Sequence, residues 1–174
     1  MPHIHAGIDF VVSMFTVHPT EPKVCLLHHK KLDMWLPPGG HIDLDQTSDE
    51  AVMAEMREEA GMFWPDDYEV QQPPGRADAA LEMLALDPAK NNNQQKLWVP
   101  WDMDIHDFPP VAGHRHLALI FLVFAKTAKL TLEKDKAHRI MWCSEAMIDT
   151  TKEKLLPAVR LYCKRAIRAR YPKE

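Results

Sequence analysis

Residues 117–125, LALIFLVFA, place nine apolar side chains in a row with no polar interruption. The run is less than half the roughly 20 residues that a helix needs to cross a bilayer. It shows no alternation of apolar and polar positions, so it reads as a β-strand buried on both faces. The rest of the chain offers partners for such a strand. Ile8 to Val17 is rich in β-branched and aromatic residues and reads as a strand, and Lys23 to His28 reads as a second. The turn residues His18-Pro19-Thr20-Glu21-Pro22 between them make the pair a hairpin. Met34 to Leu36, Tyr68 to Gln71 and Arg139 to Cys143 add three short strands.

Two helices complete the pattern. Thr47-x-x-Glu50 has capping-box spacing, and Gly61 is a natural stop after the last turn, so one helix should run between them. The other should cover Leu155 to Tyr171, with Pro157 in its first turn and Val159, Tyr162, Cys163, Ala166 and Ile167 recurring at helical spacing. Leu81 to Leu86 is a short apolar segment of unassigned type, Asp87 to Gln95 is turn-like, and irregular backbone is expected to continue to Pro109-Pro110. Long irregular connections in a domain usually carry function. The expectation is a mixed sheet with one central helix and one C-terminal helix, the whole of residues 1–174 forming one domain.

A charged fraction of 26% and a net charge of −4 are ordinary for a globular protein and give no general attraction to nucleic acid or membrane. Cys25, Cys143 and Cys163 lie in no metal-binding or redox spacing and read as reduced thiols. The N-terminal apolar run is short, follows Asp9 and lacks a basic leader, which is not a secretory pattern. A cytoplasmic protein is expected.

Chemistry concentrates between Trp35 and Met62, WLPPGGHIDLDQTSDEAVMAEMREEAGM. Glu55, Glu58 and Glu59 follow i, i+3, i+4 spacing, which gathers them on one face of an α-helix at a cost in repulsion. For a bare pattern of this kind a solvated acidic face is the economical reading. Here a Pro37-Pro38-Gly39-Gly40 entrance precedes it, with glycines open to backbone torsions closed to other residues. A hard divalent ion with oxygen ligands would relieve the repulsion.

Gly40, Gln46 and the segment Ala54-Glu55-Met56-Arg57-Glu58-Glu59-Ala60-Gly61-Met62 stand in a register that resembles the Nudix box, without a gap. Trp35 to Gly40 looks like the strand leading into that box, and Arg139 to Glu145 resembles the late strand and turn of the family. The resemblance implies an α+β fold, a mixed sheet sandwiched between helices as α/β/α. It also implies a Mg²⁺- or Mn²⁺-dependent hydrolase acting on a nucleoside diphosphate linked to another group, with a small nucleotide or related diphosphate as partner. Carried over by position, Glu58 and Glu59 would be metal ligands with the Gly40 carbonyl a further candidate, and Glu55 would be a metal ligand or the general base. A further ligand could come from Asp102, Asp104 or Asp107. Two positions depart from the family: Gln46 replaces its first Glu, and Ala54 replaces its Arg. The changes remove one charge of each sign together, which avoids leaving either partner uncompensated. They are also what a catalytically weak or inactive module that binds a nucleotide or a protein would show.

His114, Arg115 and His116 precede the long apolar run, and His41 follows Gly40. All four are candidates for contacting substrate, against the plainer reading of polar strand ends. Trp98 and Trp101 read more simply as cover for the core than as a stacking platform, and His28-His29-Lys30-Lys31 as a solvated turn. The last helix is basic, from Lys152 to Lys173, but lacks the interleaved aromatics of an RNA-binding surface. Homodimer formation is left open.

Overall fold

Among the described residues eight strands form one mixed sheet: β1 (Ile8–Val17), β2 (Lys23–His29), β3 (Met34–Leu36), β4 (Gly39–His41), β5 (Tyr68–Val70), β6 (Asp102–Asp107), β7 (Arg115–Ala125) and β8 (Ala137–Ser144). The computed structural model describes residues 7–73, 97–108, 110–132 and 137–172. The strand order is β3-β2-β1-β7-β5, with β4 on β1, β6 on β7 and β8 on β2. The apolar run sits in β7, which pairs in parallel with β1 from Ile8↔Arg115 to Val17↔Phe124; the other pairings are antiparallel.

The absence of alternation in the run is explained by layers on both sides. Phe121, Val123 and Ala125 of β7, with Val12 and Met14 of β1, face a helical segment built from α1 (Ser48–Glu55) and a π turn (Met56–Ala60). Ala118, Ile120 and Leu122, with Val11, Phe15 and Val17, face the C-terminal α3 (Pro157–Arg170), together with Ile148 of the short α2 (Glu145–Thr150). Side chains two apart share a face, so each central strand is apolar on both. A fully buried side chain such as Phe15 or Phe121 contributes about 1.5–3 kcal/mol, so both cores hold the sheet. The fold is α+β, a mixed sheet between helices, as the sequence led one to expect. No helix among the described residues is long and apolar enough to cross a membrane.

Four local features differ from the sequence reading. Gly39 and Gly40 are extended residues of β4, not left-handed ones; the glycines with positive φ among the described residues are Gly61 and Gly113. Their lack of a side chain serves space. A Cβ on Gly39 would lie 2.3 Å from the Val12 carbonyl oxygen, and one on Gly40 would lie 2.0 Å from Oε1 of Glu55. Asp102 to Asp107, expected to be irregular, is the edge strand β6. Its Asp and His residues are poor strand formers, and only pairing with β7 supplies the ladder. The helix expected from Thr47 to Gly61 switches to π geometry at Met56. Finally, the turn after β8 becomes α2, capped by Ser144, whose Oγ accepts from the Met147 amide. The segments Leu81–Leu86 and Asp87–Gln95 lie outside the described residues.

The basic side chains of α3 are largely occupied in contacts with the sheet and with α2. Arg165 pairs with Asp102 at 2.7 Å and lies over the Trp101 ring at 4.7 Å. Arg170 donates to the carbonyls of Val17, Ala125 and Pro19, tying together the ends of β1 and β7. Lys164 meets Asp149 and Arg168 meets Glu145. Trp98 and Trp101 pack against the two cores.

Candidate active site

Local sequence chemistry anchors the helical segment at both ends. Thr47 Oγ1 accepts from the Glu50 amide at 3.3 Å, and Glu50 Oε2 accepts from the Thr47 amide at 2.8 Å, a complete capping box. At the far end Gly61 takes φ +66, and its amide donates to the Arg57 carbonyl. Asp49, in the first turn, is buried and accepts the Trp98 amide on both carboxylate oxygens, at 3.0 and 2.9 Å. Burial raises its pKa above the ordinary value, against the lowering effect of those bonds. Asp49 therefore docks the Trp98 segment onto the helix. An acidic first-turn residue is so ordinary that the sequence gives no sign of this role.

Glu55 is the last residue of α1, and Glu58 and Glu59 lie in the π turn. Glu55 and Glu59 are 6% and 5% exposed, an unusual degree of withdrawal for carboxylates. Both meet β4: Glu59 Oε2 accepts the Gly39 amide at 2.9 Å, and Glu55 fills the space that a side chain on Gly40 would need. Glu58 is 36% exposed at its side chain and lies 3.5 Å from Arg57. Of the three glutamates, Glu58 is the most exposed. The donor set, carboxylates beside the Gly40 backbone with the strand cut back to glycine to admit Glu55, fits a hard divalent ion that also takes substrate oxygens. Gln46 is turned to a local task, accepting the Asp43 amide through Oε1 at 3.3 Å. The Arg57 side chain is exposed.

The four histidine and arginine candidates separate. His41, His114 and His116 converge on Asp9, which the sequence reading passed over. Nε2 of His41 and Nε2 of His114 each lie 3.3 Å from Asp9 Oδ2. His116 is edge-on to His41 with centroids 5.1 Å apart, and Phe108 stacks on it at 4.5 Å. Burial first, and then the neighbouring histidines, lower the His116 pKa to about 4, so its imidazole is neutral at pH 7. Arg115, between two inward-facing residues, is exposed and points the other way. Asp9 pairs in register with His116, and Val11 with His41. These positions alternate onto the α3 side of the sheet, whereas Gly40 faces Glu55 on the other side. The only sequence signal for Asp9 is a charge near the start of an apolar strand, and it gains meaning once β1, β4 and β7 are adjacent. Asp102 pairs with Arg165, and Asp104 Oδ1 lies 2.7 Å from His106 Nδ1, so both serve local contacts.

No family model matches the chain, and no curated protein does. Solved structures do. A hydrolase of the NUDIX family from Clostridium perfringens superposes with a TM-score of 0.73 at 22% identity, covering 92% of this chain and 97% of that one. The NUDIX domain of Shewanella oneidensis NrtR, complexed with ADP ribose, gives 0.60 at 14% identity over 97% and 90% of the two chains. A C. elegans Ap4A hydrolase gives 0.59 at 13% identity over 94% and 95%. The shared architecture runs almost end to end, and this chain has the Nudix hydrolase fold.

Proposed function

We propose that the protein is a metal-dependent hydrolase that cleaves a phosphoanhydride, a nucleoside diphosphate joined to another group, by water attack at phosphorus. The observation that carries this reading is the withdrawal of Glu55 and Glu59 from water against a strand reduced to glycine at Gly39 and Gly40. Glu58, Glu59 and the Gly40 carbonyl would hold Mg²⁺ or Mn²⁺, Glu58 from a more open position than Glu59. When bound, such an ion neutralises the diphosphate and lowers the pKa of water near it. Glu55 takes the proton from the attacking water, and Glu59, through the Gly39 amide, keeps strand and helix in fixed relation. A nucleotide substrate is supported by the ADP-ribose complex and the Ap4A hydrolase among the structural neighbours. On this reading residues 1–174 act as one cytoplasmic catalytic domain.

The test is a Mg²⁺-supplemented hydrolysis screen over nucleoside triphosphates, dinucleoside polyphosphates, nucleotide sugars and ADP-ribose. Wild type should release product, and Glu55→Gln should lower turnover by about 10²-fold or more. Glu59→Gln should also lower it while keeping an acceptor for the Gly39 amide. Equal turnover in wild type and both variants would refute the assigned roles. The replacements at Gln46 and Ala54 favour a second reading, a module that binds nucleotide without cleaving it. Ligand binding with neither metal dependence nor turnover would establish that alternative.

A further inference from the structure

We propose that Asp9, His41 and His116 form a binding site for a divalent transition-metal ion of the zinc class, separate from the box carboxylates. One ligand atom from each of these residues lies within 4.8 Å of the other two, and Asp9 Oδ2 is 3.3 Å from His41 Nε2. Four-coordinate zinc, with bonds of roughly 2.0–2.1 Å, sets its ligand atoms about 3.3–3.4 Å apart. The one distance therefore already matches an edge of such a site, and the widest separation needs to close by no more than about 1.5 Å.

The donor set discriminates between metals. Two imidazoles and a carboxylate suit Zn²⁺ and its first-row neighbours, whereas Mg²⁺ seeks oxygen alone. The surroundings have the features of a supported site. His114 Nε2 lies 3.3 Å from the same Asp9 oxygen and positions that carboxylate, while Phe108 stacks on His116 and limits its rotation. Burial is graded: Asp9 is 0% and His116 8% exposed, and the His41 side chain, at 15%, offers the side of entry. The three ligands also come from three strands, β1, β4 and β7. Strand alternation puts them on the face of the sheet opposite Glu55, although His41 directly follows Gly40. A bound ion would therefore pin the short β4, and with it the glycines that meet the catalytic helix, without sharing a ligand with the acids there.

Cobalt(II) is a suitable probe, because a low-coordinate nitrogen-oxygen site gives it strong visible absorption and an all-oxygen site does not. Tag-free wild-type protein, stripped with chelator, should take up one equivalent of Co²⁺ with a visible band. Zn²⁺ should displace it, a millimolar excess of Mg²⁺ should not, and Zn²⁺ should raise the melting temperature. His116→Gln and His41→Gln should each weaken Co²⁺ binding by about tenfold or more. The double variant Glu55→Gln/Glu59→Gln should keep the band. If His116→Gln fails to fold by circular dichroism, the more peripheral His41→Gln decides together with the wild-type titration. No band in wild type, a band indifferent to His41→Gln, or a band lost in the glutamate double variant would each overturn the proposal.

Discussion

Adding one methyl group at Gly40 tests the candidate site at its tightest point. The new Cβ would stand 2.0 Å from Glu55 Oε1 and 2.5 Å from its Cδ, against the 3.4 Å at which ordinary contact begins. Relief requires the carboxylate to move by about 3.4 − 2.0 = 1.4 Å, because Gly40 is anchored in the β4 pairing with Val12. The neighbour is the far end of a side chain, so the fold can yield there, with an expected loss in the range of about 1–3 kcal/mol for overpacking. Catalysis is less tolerant: a misplacement of about 1 Å can cost around 10²-fold in rate, equivalent to about 2.7 kcal/mol of barrier. Gly40→Ala should therefore remain folded and lose about two orders of magnitude in metal-dependent turnover. Gly39→Ala is the internal comparison. Its Cβ would meet the Val12 carbonyl oxygen at 2.3 Å, which is backbone and cannot swing aside, so it should lose more stability than Gly40→Ala. Urea denaturation and steady-state hydrolysis on both variants give the two readouts. Near-wild-type turnover in Gly40→Ala, or a smaller stability loss in Gly39→Ala than in Gly40→Ala, would refute the reasoning.

Three further predictions concern the frame. Thr47→Ala removes one half of the capping box and should lower stability by about 1 kcal/mol in urea denaturation; an unchanged midpoint would show that the cap contributes nothing. Asp49→Ala leaves the Trp98 amide without its carboxylate and should cost about 1–3 kcal/mol by the same measurement. His18 gives a pH dependence. Its Nδ1 accepts the Thr20 and Glu21 amides, which requires the uncharged ring, and burial lowers its pKa below 6.5 even though Glu21 opposes the shift. The unfolded chain then binds more protons than the folded one as pH falls below 6.5, so stability should decline there and level off below the folded pKa. Subtracting a His18→Gln stability profile from that of wild type should isolate this decline, and coincident pH slopes would exclude it.

The parts that local chemistry specifies were legible before any contact was known. The capping box at Thr47 and Glu50, the stop at Gly61, the strand at Ile8–Val17 and the proline-led C-terminal helix depend on residues close in sequence, whose preferences act through backbone torsions and nearby hydrogen bonds. The unbroken apolar run at 117–125 likewise determined that layers must cover both faces of a central strand. Spacing also brought Glu55, Glu58 and Glu59 forward as candidates. Tertiary structure decided the rest. Strand β6 exists because β7 offers it an edge, and Gly39 and Gly40 are glycines because a carbonyl and a carboxylate from distant segments occupy the space beside them. The helical segment takes π geometry from Met56 to Ala60, a change of helical pitch that the local pattern did not announce. Asp9, His41, His114 and His116 come from three stretches of chain, and only the pairing of β1 with β4 and β7 assembles them. Torsional preference is written residue by residue, whereas proximity between distant segments arises when the whole sheet forms.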